Sequence, residues 1–151
     1  MRFGVRLRQV VNVLNTSTLF GVAIAKLGRA RVRRGPDGLL IAAGYRLPIP
    51  PNPAFTVGNV VVVRDEDRLV RRPTLLAHEA RHATQYAWCV GPVMWIPYAL
   101  ASAWSWLRTG DPASRNWFEL RAGLVEGGYL EKPVRPLLRR RGGGSSFSPP
   151  P

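Results

Sequence analysis

Leu75-Leu76-Ala77-His78-Glu79-Ala80-Arg81-His82-Ala83-Thr84-Gln85-Tyr86 is the stretch on which the reading of this chain turns. It contains His78-Glu79-x-x-His82, and the 151-residue chain has no other histidine. Residues four apart share one face of a helix, so both imidazoles can point at one metal ion. Glu79 sits about 100° further round, where its carboxylate can take a proton from a water bound to that metal. The flanking residues predict the helix that this geometry needs. Pro73 suits a first helical turn, and Leu75, Leu76, Ala80, Ala83 and Ala87 form an apolar stripe.

Upstream of the helix the chain changes to strand chemistry. Thr56 to Arg64, with Val60-Val61-Val62-Val63, carries the strongest strand signal, and Asp65 to Asp67 follows as a charged turn. Arg31 to Arg34, the turn residues Gly35-Pro36-Asp37-Gly38 and Leu39 to Arg46 predict a strand, turn and strand. Pro48, Pro50, Pro51 and Pro53 form an extended connector. The expected fold is α+β, a small antiparallel sheet packed on helices. A strand leading by a short loop into the helix suits a substrate held alongside a sheet edge.

Met1 to Leu27 begins with Arg2, Arg6 and Arg8 and continues mainly apolar, but Asn12 and Asn15 to Thr18 interrupt it. The apolar stretch that remains, Leu19 to Ala25, is too short to span a bilayer and marginal as a signal core. The expectation is a basic amphipathic helix over residues 1–28, with Phe3, Leu7, Val10, Val11 and Leu14 packed on the domain rather than lying on an anionic membrane. Ala87 to Leu107 has no charged side chain and holds Trp88, Trp95, Trp104 and Trp106. Gly91, Pro92 and Pro97 argue against a span, and burial is expected ahead of an interfacial position. Asp111-Pro112 should cap a helix running through Glu119 to Gly127-Gly128. Residues 132–151, rich in Pro, Arg, Gly and Ser, read as a disordered basic tail.

The formal charge of +13, from 22 Lys and Arg against nine acids, favours anionic partners. Without a nucleic-acid-binding motif, nucleic acid is the weaker candidate and an anionic membrane surface the stronger. The single cysteine, Cys89, excludes an internal disulfide and reads as a small buried residue. The expected location is cytoplasmic, with membrane association through the N-terminal helix and the Trp-rich segment.

A catalytic zinc site takes three protein ligands and one open position. The downstream candidates are Glu119, Glu126, Glu131 and Asp111. Glu119 is favoured, because the small Ala122 and Gly123 one turn on would let its helix come close; Glu126 is the main rival. Gln85 could hydrogen-bond a metal-bound histidine or stand on the helix surface.

With those residues in view, the chain resembles the gluzincin group of zinc metallopeptidases, in which a later helix adds a glutamate to a His-Glu-x-x-His helix. More closely, His78-Glu79-Ala80-Arg81-His82-x-x-Gln85-Tyr86 with Asn116-x-x-Glu119-x-x-Ala122 is similar to small bacterial domains carrying His-Glu-x-x-His-x-x-Gln. The match covers roughly residues 56–128. The resemblance implies a zincin-like domain over residues 29–131, Zn2+ held by His78, His82 and Glu119, Glu79 as general base, and a peptide or protein substrate. Tyr98, Arg115 and Tyr86 are candidates for steadying the oxyanion. The alternatives are a zinc-stabilised binding domain without turnover, or a basic membrane-surface or nucleic-acid-binding protein.

Overall fold

A computed structural model describes residues 3–135. The fold is α+β, as expected: a four-stranded sheet packed between helices. Its strands are β1 (Arg31–Arg34), β2 (Leu40–Ala43), β3 (Ala54–Val57) and β4 (Val60–Val63), in the order β1-β2-β4-β3. The sheet is mixed rather than wholly antiparallel, because β2 and β4 run parallel. The reason lies in a turn the sequence reading passed over. Thr56 to Arg64 is not one strand but part of a tight hairpin, with Gly58 at φ 61 and Asn59 between β3 and β4.

Helices on both faces account for the all-apolar Val60–Val63 run. Val61 and Val63 pack with Leu75 and Ala83 of α4 (Pro73–Trp88), whereas Val60 and Val62 pack with Ala25 of α2 (Ser17–Leu27). A strand buried on both faces loses the alternation of a half-buried one. Between β4 and α4, the expected charged turn closes into a short helix, α3 (Asp67–Arg71).

The amino-terminal segment is two helices, not one. α1 (Phe3–Leu14) and α2 meet at a 72° bend near Asn15 and Thr16. The face of α1 turned inwards is its polar one. Asn12 is fully buried, and its Nδ2 donates to the Ala83 carbonyl at 2.8 Å and to Asn59 Oδ1 at 3.0 Å. Phe3, Leu7, Val10 and Leu14, expected to pack on the domain, are exposed. Those hydrogen bonds fix the rotation of the helix, because turning its apolar face inwards would take the Asn12 amide away from its partners.

α5 (Trp95–Thr109) shows the same inversion and overturns the expectation of burial for 87–107. Its buried residues are Ser105 and Thr109, while Trp88 is 81% exposed and Trp104 56%. Asp111 makes a turn, accepting from the Ser114 and Ala113 amides, and does not cap a helix. The next helix, α6 (Trp117–Ala122), is capped by Asn116 Oδ1 on the Phe118 amide. A break at Gly123 (φ 89, ψ 94) separates it from α7 (Leu124–Gly127). Residues 132–135 are tied down by Lys132 N to Ser114 Oγ and Arg135 N to the Arg108 carbonyl. The rest of the expected tail lies outside the described residues.

Candidate metal centre

α4 presents His78 and His82 on adjoining turns, both buried, with their Nε2 atoms 3.0 Å apart. Each ring is oriented by its other nitrogen. His78 Nδ1 donates to the Gly123 carbonyl at 2.8 Å, and His82 Nδ1 donates to Gln85 Oε1 at 2.8 Å. The Gln85 amide cannot be turned the other way, because its Nε2 donates to the Phe118 carbonyl at 2.9 Å. A neutral imidazole with its proton on Nδ1 carries a lone pair on Nε2. Two such lone pairs therefore face each other across 3.0 Å, an arrangement that needs a cation or a proton between them.

α6 supplies the third group. Glu119 is 2% exposed, with Oε2 3.4 Å from His78 Nε2 and Oε1 3.6 Å from His82 Nε2. The Tyr98 hydroxyl donates to Oε1, whereas Oε2 is buried with no hydrogen-bond partner. The ligand atoms of His78, His82 and Glu119 all lie within 4.8 Å of one another. Two imidazole nitrogens and a carboxylate form a donor set suited to a divalent transition metal, and the orphaned Oε2 is an acceptor in want of a cation. Burial acts to raise the Glu119 carboxyl, but the neighbouring His78 and His82 rings and the Tyr98 hydroxyl outweigh it and hold the group well below the usual carboxylate range. Burial likewise acts to lower His82, and the contact with Glu119 outweighs it and raises the imidazole.

The connection between α4 and α6 is built from α4's own side chains. His78, Arg81 and Gln85 donate respectively to the carbonyls of Gly123, Ala122 and Phe118. Of these, the Ala122 carbonyl ends α6, where a helix leaves its acceptors without intrahelical partners, whereas the Gly123 carbonyl also accepts from the Gly127 amide at 3.1 Å. The break at Gly123 thus has a use: it turns a carbonyl toward His78.

Glu79 is 3% exposed and accepts at Oε2 from Thr56 Oγ1 on β3 at 2.7 Å. Burial raises its carboxyl above the ordinary range, against the opposing effect of His82 and the Thr56 bond. All four residues of β3, Ala54, Phe55, Thr56 and Val57, border a cavity of about 430 Å³ that also reaches His78, His82, Glu79 and Glu119. β3 pairs with β4 on one side only, so its other edge runs along this cavity.

Of the remaining sequence candidates, Tyr98 and Tyr86 line the cavity, but Tyr86 is engaged by Trp95 Nε1. Burial pushes the Tyr86 phenol up to about 12. Arg115 pairs with Glu131 at 3.0 Å, away from the cavity. Glu126 is half-exposed and faces Arg81 at 3.7 Å, and Cys89 is half-buried at the end of α4; neither joins the cluster. Sequence reasoning missed Thr56, Asn52 and Tyr129. Tyr129 lies beyond the α7 stop, its ring tilted over His78 at 6.1 Å and its hydroxyl accepting from Asn52 Nδ2. No periodic pattern marks these three, because each comes from a loop or an edge strand.

No protein-family model, curated protein or solved structure matches this chain.

Proposed function

We propose that the protein is a zinc-dependent hydrolase, a metallopeptidase in which His78, His82 and Glu119 hold the metal and Glu79 is the general base. The observation that carries this reading is the pair of Nε2 atoms 3.0 Å apart, both rings fixed through Nδ1, with the unpartnered Glu119 Oε2 beside them. A zinc ion bound there would serve as a Lewis acid, polarising a scissile carbonyl and lowering the pKa of water.

The chain's own groups would do the rest. Glu79, one residue along from His78, would take a proton from the attacking water and pass it to the leaving amine. Burial, which raises its carboxyl, favours the protonated form that such a group must pass through. Thr56 would hold one of its oxygens still, leaving the other for the proton. The free edge of β3 would take an extended peptide as one more strand. The cavity walls, with Tyr45, Ile49, Phe55, Val57 and Met94, favour an apolar side chain next to the scissile bond. Tyr98 and Tyr129 carry the hydroxyls available to an oxyanion, and for both burial first, then the nearby Glu119, keeps the phenol protonated.

The test is metal content followed by turnover. The purified chain should carry about one zinc, the load of a single three-ligand site, and His78→Ala or His82→Ala should abolish it. A mixture of apolar peptides should be cleaved by the wild type. The Glu79→Gln protein should keep its zinc and lose activity by about 10²-fold or more. Metal retained in the His78→Ala/His82→Ala double variant would overturn the site. A zinc-loaded wild type that cleaves nothing would favour the binding-domain reading.

A further inference from the structure

Two helices of this chain bury their polar side and expose their apolar one. In α1 the inward residues are Arg8 and Asn12, the former donating to the Asp37 carbonyl. In α5 the inward residues are Ser105 and Thr109, both hydrogen-bonded to the Asp111 carbonyl, while Ser102 accepts from Asn116. Each side turned outwards is a row of large hydrophobic groups: Leu7 and Val10 on α1, Leu100 and Trp104 on α5.

Contacts join the helices that carry these rows. Leu7 and Trp88 line the same groove between α1 and the end of α4. The turn that follows brings Gly91 against the backbone of Asn15, at the junction of α1 and α2. From α2, Phe20 meets Trp95 of α5 edge-on at 6.3 Å. On α5 the exposed Ile96, Leu100 and Trp104 follow at four-residue spacing and so share one outward face.

The charges on this surface identify what covers it. Arg6 lies on the outward face of α1 and Lys26 on that of α2, both exposed, and Arg108 stacks over Trp104. None of the nine acids of the chain falls on α1, α2 or α5. A second copy would set cation against cation. A bilayer with acidic headgroups offers hydrocarbon to the leucines, an interface to the tryptophans and negative charge to the cations. We infer that α1, α2 and α5 form one docking face for an anionic lipid bilayer. The protein lies on the bilayer rather than across it: no single described helix is long and apolar enough to span, and Asn12 pins the bent α1–α2 pair to the core. Trp95 belongs to both regions, lining the catalytic cavity and touching Phe20, so the cavity opens beside the lipid. On the hydrolase reading, its substrates are peptide segments that emerge at the membrane surface.

The full chain should co-sediment with vesicles of equal parts phosphatidylglycerol and phosphatidylcholine. Brominated acyl chains should quench its tryptophans, and binding to pure phosphatidylcholine should be at least tenfold weaker. Each cation near an acidic surface strengthens binding about fivefold, so Arg6→Glu/Lys26→Glu should remove that preference. Leu100→Ser/Trp104→Ser should lower binding and quenching with an unchanged circular dichroism spectrum. Equal binding to both vesicles, no binding to either, a lipid-free dimer that shields the tryptophans, or resistance to alkaline carbonate extraction would each overturn the proposal. Vesicle binding needs neither metal nor turnover, so it stands or falls apart from the hydrolase reading.

Discussion

At the scale of single residues, the candidate site is governed by what holds each imidazole from behind. Gln85 is the clearest case, because it joins two elements with one amide: Oε1 to His82 Nδ1 and Nε2 to the Phe118 carbonyl, one residue before Glu119. Groups that orient metal-bound histidines typically contribute 10- to 100-fold to metal affinity. Gln85→Leu keeps the approximate volume and removes both bonds, so zinc affinity in a chelator competition should fall by about that factor. Gln85→Glu should recover most of it, since a carboxylate still accepts from Nδ1. An unchanged affinity in Gln85→Leu would mean that helix packing alone sets the His82 ring. The spacing His82-x-x-Gln85 was legible in the sequence, and so was its possible role. Which of the two uses of Gln85 applied depended on an α6 carbonyl that no local pattern announces.

At the scale of elements, the site depends on how closely α7 approaches α4. A Cβ on Gly127 would stand 2.5 Å from His78 Cε1 and 2.8 Å from Nδ1, so Gly127→Ala should push the imidazole away from the Gly123 carbonyl. The expected result is weakened zinc binding with the fold retained, read by metal titration beside circular dichroism. Glu119→Gln should weaken zinc binding severely, since it removes a charged ligand. Glu126→Gln should leave it near wild type, because that residue's half-exposed pair with Arg81 contributes at most about 1 kcal/mol. The reverse order would transfer the third-ligand role to Glu126. The helix-forming stretch around His78, the strands at 31–34 and 40–43 and the valine run were all readable, because each follows a period or composition that its burial requires. The break at Gly123 was not. A glycine within an otherwise helical pattern reads equally as close packing or as a stop, and only the acceptor it turns toward His78 decides between them. The inverted faces of α1 and α5 were hidden for a related reason: apolar periodicity marks a face without saying whether protein or something else covers it.

At the scale of the whole molecule, the candidate ligands join α4 to α6, two elements that also meet through the Arg81 and Gln85 bonds. α4 is anchored in the core through Leu75 and Ala83, whereas Glu119 comes from the short α6, reached only after the exposed α5. Without a cation, the buried Oε2 of Glu119 has no partner and the two Nε2 lone pairs face each other, which favours separation of α6 from α4. A ligand that binds only the folded state at 100 times its Kd stabilises that state by about 2.7 kcal/mol. For a chain of this size each kcal/mol moves Tm by roughly 2–4 °C, so zinc at that excess should raise Tm by roughly 5–10 °C over chelator-treated protein. The gain should be local as well as global. Hydrogen exchange in α6 and α7 should slow on adding zinc, while the amides of β4, buried between α2 and α4, should change little. Glu119→Gln should abolish the zinc-dependent rise in Tm, whereas Glu79→Gln should keep it, because Glu79 bonds to Thr56 and is not among the three clustered ligand residues. A Tm that does not respond to zinc in the wild type, or that still responds in Glu119→Gln, would separate α6 from the metal and leave the two histidines without a third ligand.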